Sequence, residues 1–167
     1  CALILEEGLE LALLGRMLGS MKEAAREAGV SIVTGDIKVV QRGAADKLFI
    51  NTAGIGVVPA GVEIGAHRAA PGDVVIVNGH LGDHGAAILQ ARGELALSAA
   101  IASDCQSLHG LIDCMRTACP DIHCLRDATR GGLATVLNEF AQSSGVGIRL
   151  DEGSLPVRDV VRGMCEI

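Results

Sequence analysis

Apolar residues recur every three or four positions between residues 9 and 28, a spacing typical of one face of an α-helix. This stripe consists of Leu11, Leu14, Leu18, Met21, Ala25 and Ala28. Arg16, Lys22 and Glu23 fall on other faces, and Gly29 follows as a residue that commonly ends helices. The pattern therefore predicts one long amphipathic helix early in the chain.

The apolar runs that follow lack this period and predict strands instead. They cover 30–34, a short stretch near Val39, 48–58, 73–78, 122–125 and 146–150. Helical spacing returns from about residue 86, over 103–119, over 133–142 and at the end of the chain. The alternation predicts an α+β fold, and residues 59–72, with two prolines and three glycines, predict a linker between two domains.

Charge and composition argue against nucleic acid as a partner. The chain has fourteen Lys and Arg residues and twenty Asp and Glu residues, and Phe49 and Phe140 are its only aromatic residues. No run approaches the roughly 20 apolar residues that span a bilayer, and no signal-peptide pattern opens the chain. We therefore expect a cytoplasmic protein with no membrane partner. Because the sequence starts at Cys1 and stops within a helical pattern, we also expect an internal fragment.

The six cysteines contain no C-x-x-C pair, so the sequence favours burial over metal binding. Cys105 and Cys119 share one apolar stripe of the helix predicted over 103–119, and Cys124 lies in a predicted strand. All three are expected in the core. A metal cluster formed by Cys114, Cys119, His123 and Cys124 remains the alternative.

Three glycine-containing polar loops, 34–38, 78–85 and 126–132, each follow a predicted strand, where binding groups are often mounted. A bound polyphosphate needs close backbone N–H groups, a cation and a carboxylate-held metal ion. The loops supply these groups as Gly35, Asp36, Lys38, Gly82, Asp83, Gly85, Arg126, Asp127, Arg130, Gly131 and Gly132. The alternative is structural, with Asp36 in a turn hydrogen bond, Lys38 solvated, and Asp127 with Thr129 capping a helix.

Five blocks carry a family resemblance in their order along the chain. They are LILEEG, VTGDIKVVQRG, KLFINTAGIG, GDHGAAIL and LRDATRGGLATVLNEFA. Together they resemble the HypE family of hydrogenase maturation proteins, within the superfamily of aminoimidazole ribonucleotide synthetase-like enzymes. The resemblance covers residues 1–167.

The resemblance implies an aminoimidazole ribonucleotide synthetase-like fold and a homodimer. An N-terminal α+β half-barrel domain over 1–67 would serve dimerisation and ATP binding, and a C-terminal α/β domain over 72–167 would follow it. The implied activity is ATP-dependent dehydration of a carbamoylated C-terminal cysteine to a thiocyanate, which supplies cyanide ligands to nickel-iron hydrogenase. HypF would donate the carbamoyl group and the HypC-HypD complex would accept the cyanide.

The resemblance also assigns site residues. Asp36 and Lys38 would be catalytic, Asp36 and Asp83 would hold Mg²⁺, and ATP phosphates would contact Gly35, Lys38, Asp83, His84, Asp127, Thr129 and Arg130. Ile37 stands where the family usually has Thr. The family's terminal Pro-Arg-Ile-Cys is absent, and Cys165 is not assigned as the nucleophile in its place. The fragment is therefore expected to be inactive alone. Another ATP-using superfamily enzyme, or a non-catalytic partner-binding domain, remains an alternative.

Overall fold

The computed structural model describes residues 1–93 and 100–165. The strands are β1 (Ala2–Glu6), β2 (Asp36–Val40) and β3 (Leu48–Asn51), and the helices are α1 (Leu11–Glu27), α2 (Asp83–Ala91), α3 (His109–Ala118), α4 (Gly132–Ser144) and α5 (Asp159–Met164). Short 3-10 turns cover Ala66–Arg68 and Glu152–Ser154. The chain forms two compact units, Cys1–Ala60 with Ser107–Asp113, and Gly61–Gln106 with Cys114–Ile167. Every helix predicted from the sequence is present, although α3 begins later than expected.

The first unit is built around a three-stranded mixed sheet in the order β2-β1-β3. Helix α1 connects β1 to β2, and such a crossover allows the two strands to run parallel, whereas β3 pairs antiparallel with β1. Leu3 and Leu5 are the buried residues of β1, and they lie opposite Ile37 and Val39 of β2. One face of the sheet is therefore apolar, and the alternate residues project from the other face.

Two packing contacts involve helices among the described residues of the second unit. Helix α4 lies against the Ala66–Arg68 turn, and α2 lies against α5. Ala86, Val136, Leu137 and Val161 are its buried apolar side chains. The Ser144 hydroxyl donates to the Ala66 carbonyl oxygen at 2.7 Å and accepts the Ala69 N–H at 2.9 Å, which fastens the end of α4 to this turn.

Several strand predictions are wrong for the described residues. The segments 30–34, 73–78, 122–125 and 146–150 contain no strand, and the predicted strand 48–58 ends at Asn51. Apolar runs indicate a preference for extended, buried backbone, but a strand also requires a neighbour to complete its hydrogen bonds. These segments pair with no strand in residues 1–93 and 100–165, and Val74 remains 82% exposed.

The predicted burial of two cysteines is also wrong. Cys105 and Cys119 are both exposed, because α3 spans only His109–Ala118 and the apolar stripe extends beyond its ends. Cys124 is half-buried and its thiol contacts the Gly65 carbonyl oxygen at 3.1 Å. Cys165 follows α5 directly, and its backbone N–H completes the last turn, whereas the sequence pattern placed it within the helix.

Candidate functional site

Strand β2 displays Asp36 and Lys38 on the same face of the first unit's sheet. They lie opposite Ala2 and Ile4 of β1, whereas the intervening Ile37 lies opposite the buried Leu3. Side chains along a strand alternate between faces, so residues two apart project together. Both charged residues are exposed, and the sheet therefore presents an acid and a base side by side.

The backbone before β2 approaches β1 closely. The Asp36 N–H donates to the Cys1 carbonyl oxygen at 3.0 Å, and a Cβ at Gly35 would lie only 3.2 Å from that oxygen. Asp36 Oδ1 accepts the Ile37 N–H at 2.8 Å, and because both residues lie in β2 this is a contact within a strand and not the turn hydrogen bond of the structural alternative. Its second oxygen remains available, and Lys38 forms no ion pair within the described ranges.

The other face of this sheet borders an apolar cavity. Residues of α1 and of the strands line a volume of about 850 Å³, among them Leu3, Met21, Ala25 and Ile37. Helix α1 itself has no buried residue. Asp36 also lines this cavity.

In the second unit, the loop 126–132 ends at the N-terminus of α4. Gly131 and Gly132 adopt left-handed conformations with φ of 77° and 60°, and no side chain caps the helix. The alternative in which Asp127 and Thr129 cap this helix is therefore wrong. The Gly132 N–H donates to the Thr129 carbonyl oxygen at 3.0 Å, and with no acidic residue in its first turn the end of α4 favours an anion through its dipole. Arg130 lies beside it and is exposed.

Asp83 and His84 are the first two residues of α2, yet their surroundings differ. Asp83 is 4% exposed, and its Oδ2 accepts a hydrogen bond from Arg158 Nε at 2.9 Å. Its Oδ1 is buried without a partner among the described residues. His84 is exposed, and its Nδ1 lies 3.0 Å from the Ser103 hydroxyl.

The alternative cysteine cluster does not form. His123 Nδ1 contacts Asp73 Oδ2 at 2.8 Å, and the same carboxylate accepts the Ala70 N–H at 2.8 Å. The Ala70 N–H, with His123 as a second contributor, lowers the pKa of Asp73. Among the described residues, Cys114, Cys119 and Cys124 do not join His123 in a group with metal-binding distances.

Sequence reasoning missed the role of Glu6 at the end of β1. Its carboxylate accepts the N–H groups of Gly43 and Lys47, which tie the β2–β3 loop to this strand. These backbone hydrogen bonds, mainly that from Gly43, lower the pKa of Glu6, and the positive charges of Arg42 and Lys47 add to the effect. The block LILEEG drew attention to this position, but sequence spacing could not reveal partners about forty residues away.

We expect these hydrogen bonds to make the β2–β3 loop sensitive to acid. Because the folded pKa of Glu6 lies below the ordinary glutamate value of about 4.3, its stabilising effect is complete above that value and is lost as the pH falls through the folded pKa. NMR titration of the Gly43 and Lys47 amides should give a midpoint below the ordinary value. Glu6→Gln should abolish this titration and Glu7→Gln should preserve it; a midpoint at or above the ordinary value would contradict the assignment.

The available groups fit Mg²⁺ and a polyphosphate. Magnesium prefers a few carboxylate oxygens and retains much of its water, and each unit taken by itself offers one such oxygen, the free Asp36 oxygen in the first and the buried, unpartnered Asp83 Oδ1 in the second. Arg158 offsets part of the Asp83 charge, so Asp36 is the better ligand of the two. Lys38, Arg130 and the uncapped α4 terminus fit phosphate oxygens.

Comparison with known proteins identifies the family. Residues 1–58 match the family described as AIR synthase related protein, N-terminal domain, and residues 70–166 match its C-terminal domain. A carbamoyl dehydratase HypE from Rhodobacter capsulatus is 56% identical over 166 residues, which are 99% of this chain and 49% of that protein. In the part of the chain that the structure describes, no helix is both long and apolar enough to cross a membrane.

The backbone of the chain is also similar to those of solved structures. A hydrogenase maturation protein HypE in complex with ATP has a TM-score of 0.93 and 49% identity, over 99% of this chain and 50% of that one. A HypE-HypF complex also has a TM-score of 0.93, with 48% identity over 99% of this chain and 54% of that one. The chain spans about half the length of the relatives that it matches. It belongs to the AIR synthase related protein family, and within that family it is similar to HypE.

Proposed function

We propose that the complete protein is an ATP-dependent carbamoyl dehydratase of nickel-iron hydrogenase maturation. The similarity to HypE proteins along nearly the whole chain supports this function. The observation that carries it in the structure is the exposed Asp36–Lys38 pair, with one carboxylate oxygen and the ammonium group both available. Such a pair suits a metal-bound phosphate group.

The proposed chemistry converts a cysteine thiocarbamate into a thiocyanate. The carboxamide oxygen is phosphorylated by ATP and leaves as inorganic phosphate, the nitrogen gives up its two protons, and the C–N bond becomes triple. Lys38 contacts the transferring phosphate and stabilises its charge. Asp36, helped by Asp83, would hold Mg²⁺, which neutralises phosphate charge when it is bound. Gly35, His84, Asp127, Thr129 and Arg130 would contact the remaining phosphate oxygens.

The same proposal assigns roles to the domains and partners. Residues 1–67 would contribute dimerisation and ATP binding, and residues 72–167 would form the C-terminal domain of a cytoplasmic homodimer. HypF would deliver the carbamoyl group, which the solved HypE-HypF complex supports. The HypC-HypD complex would accept the cyanide.

The decisive experiment follows the mass of the C-terminal peptide of the complete protein. Incubation with HypF and its carbamoyl substrate should add one carbamoyl group to a C-terminal cysteine, and subsequent ATP should remove one water from that adduct. A carbamoyl adduct unchanged by ATP would contradict the dehydratase function. Phosphorylation of an added small molecule would instead identify a superfamily kinase, and partner binding without either reaction would identify a non-catalytic domain.

A further inference from the structure

Three side chains with different ligand atoms converge in the second unit. The ligand atoms of His84, Asp104 and Cys105 all lie within 4.8 Å of one another, and all three residues are exposed. Among the cysteines of the described residues, Cys105 alone has both an imidazole and a carboxylate at this range.

The distances match the requirements of a small metal ion. His84 Nδ1 lies 3.7 Å from Cys105 Sγ. A tetrahedral zinc ion with ordinary Zn–N and Zn–S bonds would separate these two atoms by about 3.6 Å. The imidazole and thiol are thus already at ligand spacing, and the carboxylate is close enough to join them through a change of side-chain rotamer.

Ser103 holds this arrangement in place. Its hydroxyl oxygen accepts the Cys105 N–H at 3.2 Å and also lies 3.0 Å from His84 Nδ1. The Ser103 hydroxyl can make both contacts if its oxygen accepts the Cys105 N–H and its proton is donated to His84 Nδ1. In that arrangement Nδ1 has a lone pair, and a metal ion can bind this lone pair by displacing the hydroxyl proton. The turn that carries Asp104 and Cys105 is therefore fixed against the beginning of α2.

We propose that His84, Asp104 and Cys105 form a binding site for a borderline divalent cation of the zinc class. Imidazole nitrogen and thiolate sulfur favour such an ion over Mg²⁺ or Ca²⁺, which prefer oxygen ligands. With three protein ligands the fourth position takes water, because all three side chains are exposed. Binding removes the proton of the Cys105 thiol, so the affinity increases as the pH rises. The site shares His84 with the proposed phosphate contacts, so its test uses zinc in the absence of nucleotide.

Zinc binding to the complete, reduced and chelator-treated protein tests the proposal without nucleotide. We expect one ion per chain that depends on this cluster, and Co²⁺ in its place should show a thiolate-to-metal charge-transfer band. Cys105→Ser should abolish this band, and Cys105→Ser and Asp104→Asn should each weaken zinc binding at least about tenfold. Cys119→Ser replaces another exposed cysteine and should leave both properties unchanged.

A second measurement avoids any folding defect in the variants. In the wild-type protein, zinc should slow alkylation of Cys105 by iodoacetamide, mapped by mass spectrometry, while Cys114 and Cys119 continue to react. Equal alkylation rates of Cys105 with and without zinc would overturn the proposal. Wild-type zinc affinity in both Cys105→Ser and Asp104→Asn would overturn it as well.

Discussion

Lys38→Ala in the complete protein should reduce ATP-dependent dehydration by about 100-fold, the usual order for loss of one group that stabilises transition-state charge. Lys38 projects from β2 beside Asp36 and has no ion pair within the described residues. Its removal therefore breaks no ion pair of the fold there. The expected loss is in turnover, with little change in the melting temperature. Single-turnover formation of the thiocyanate, followed by mass spectrometry, measures it.

Two variants control this prediction. Lys22→Ala removes an exposed lysine of α1 from the same unit and should leave turnover unchanged. Lys38→Arg keeps the positive charge but replaces the ammonium group with a planar guanidinium group. It should retain part of the activity, because phosphate oxygens accept hydrogen bonds from either group. Unchanged turnover in Lys38→Ala would remove Lys38 from the catalytic site, while the mass measurement on the C-terminal peptide would still test the function itself.

Only part of the local structure of the candidate site was predicted from the sequence. Asp36 and Lys38 were placed in a polar loop over 34–38, whereas β2 begins at Asp36, and their spacing of two residues puts both on one face of that strand. Gly35 and Gly131 were named as positions where the backbone could approach a phosphate, which stays a prediction; in the structure Gly35 lies close to the Cys1 carbonyl oxygen and Gly131 has a positive φ. Helix α1 followed from its apolar period, which is a purely local signal.

The remaining features depend on contacts between distant residues. Glu6 reaches Gly43 and Lys47, Asp83 reaches Arg158, and His84 reaches Cys105, and no periodicity links these positions. The apolar runs 73–78 and 146–150 failed as strands for the same reason, because a strand is completed by a neighbour that the run itself does not encode. Sequence patterns thus predicted the elements better than the pairings between them.

The Asp83–Arg158 pair should be the most sensitive point in the packing of the second unit. Arg158→Met keeps the apolar stem but leaves the buried Asp83 carboxylate without a hydrogen bond to either oxygen within the described residues. An unpaired buried charge is costly, so we expect the free energy of unfolding to fall by about 3 kcal/mol. Urea denaturation without ATP or Mg²⁺ measures this change.

The reverse substitution should have a smaller effect. Asp83→Asn leaves an arginine whose side chain is 52% exposed and can be hydrated, so the expected loss is about 1 kcal/mol. The double variant should be more stable than the sum of the two losses predicts, because the neutral amide at position 83 carries no charge that needs Arg158. Arg162→Met on the same helix replaces an exposed side chain and should change stability by less than about 0.5 kcal/mol. Additive losses in the double variant would show that the ion pair does not hold α2 against α5.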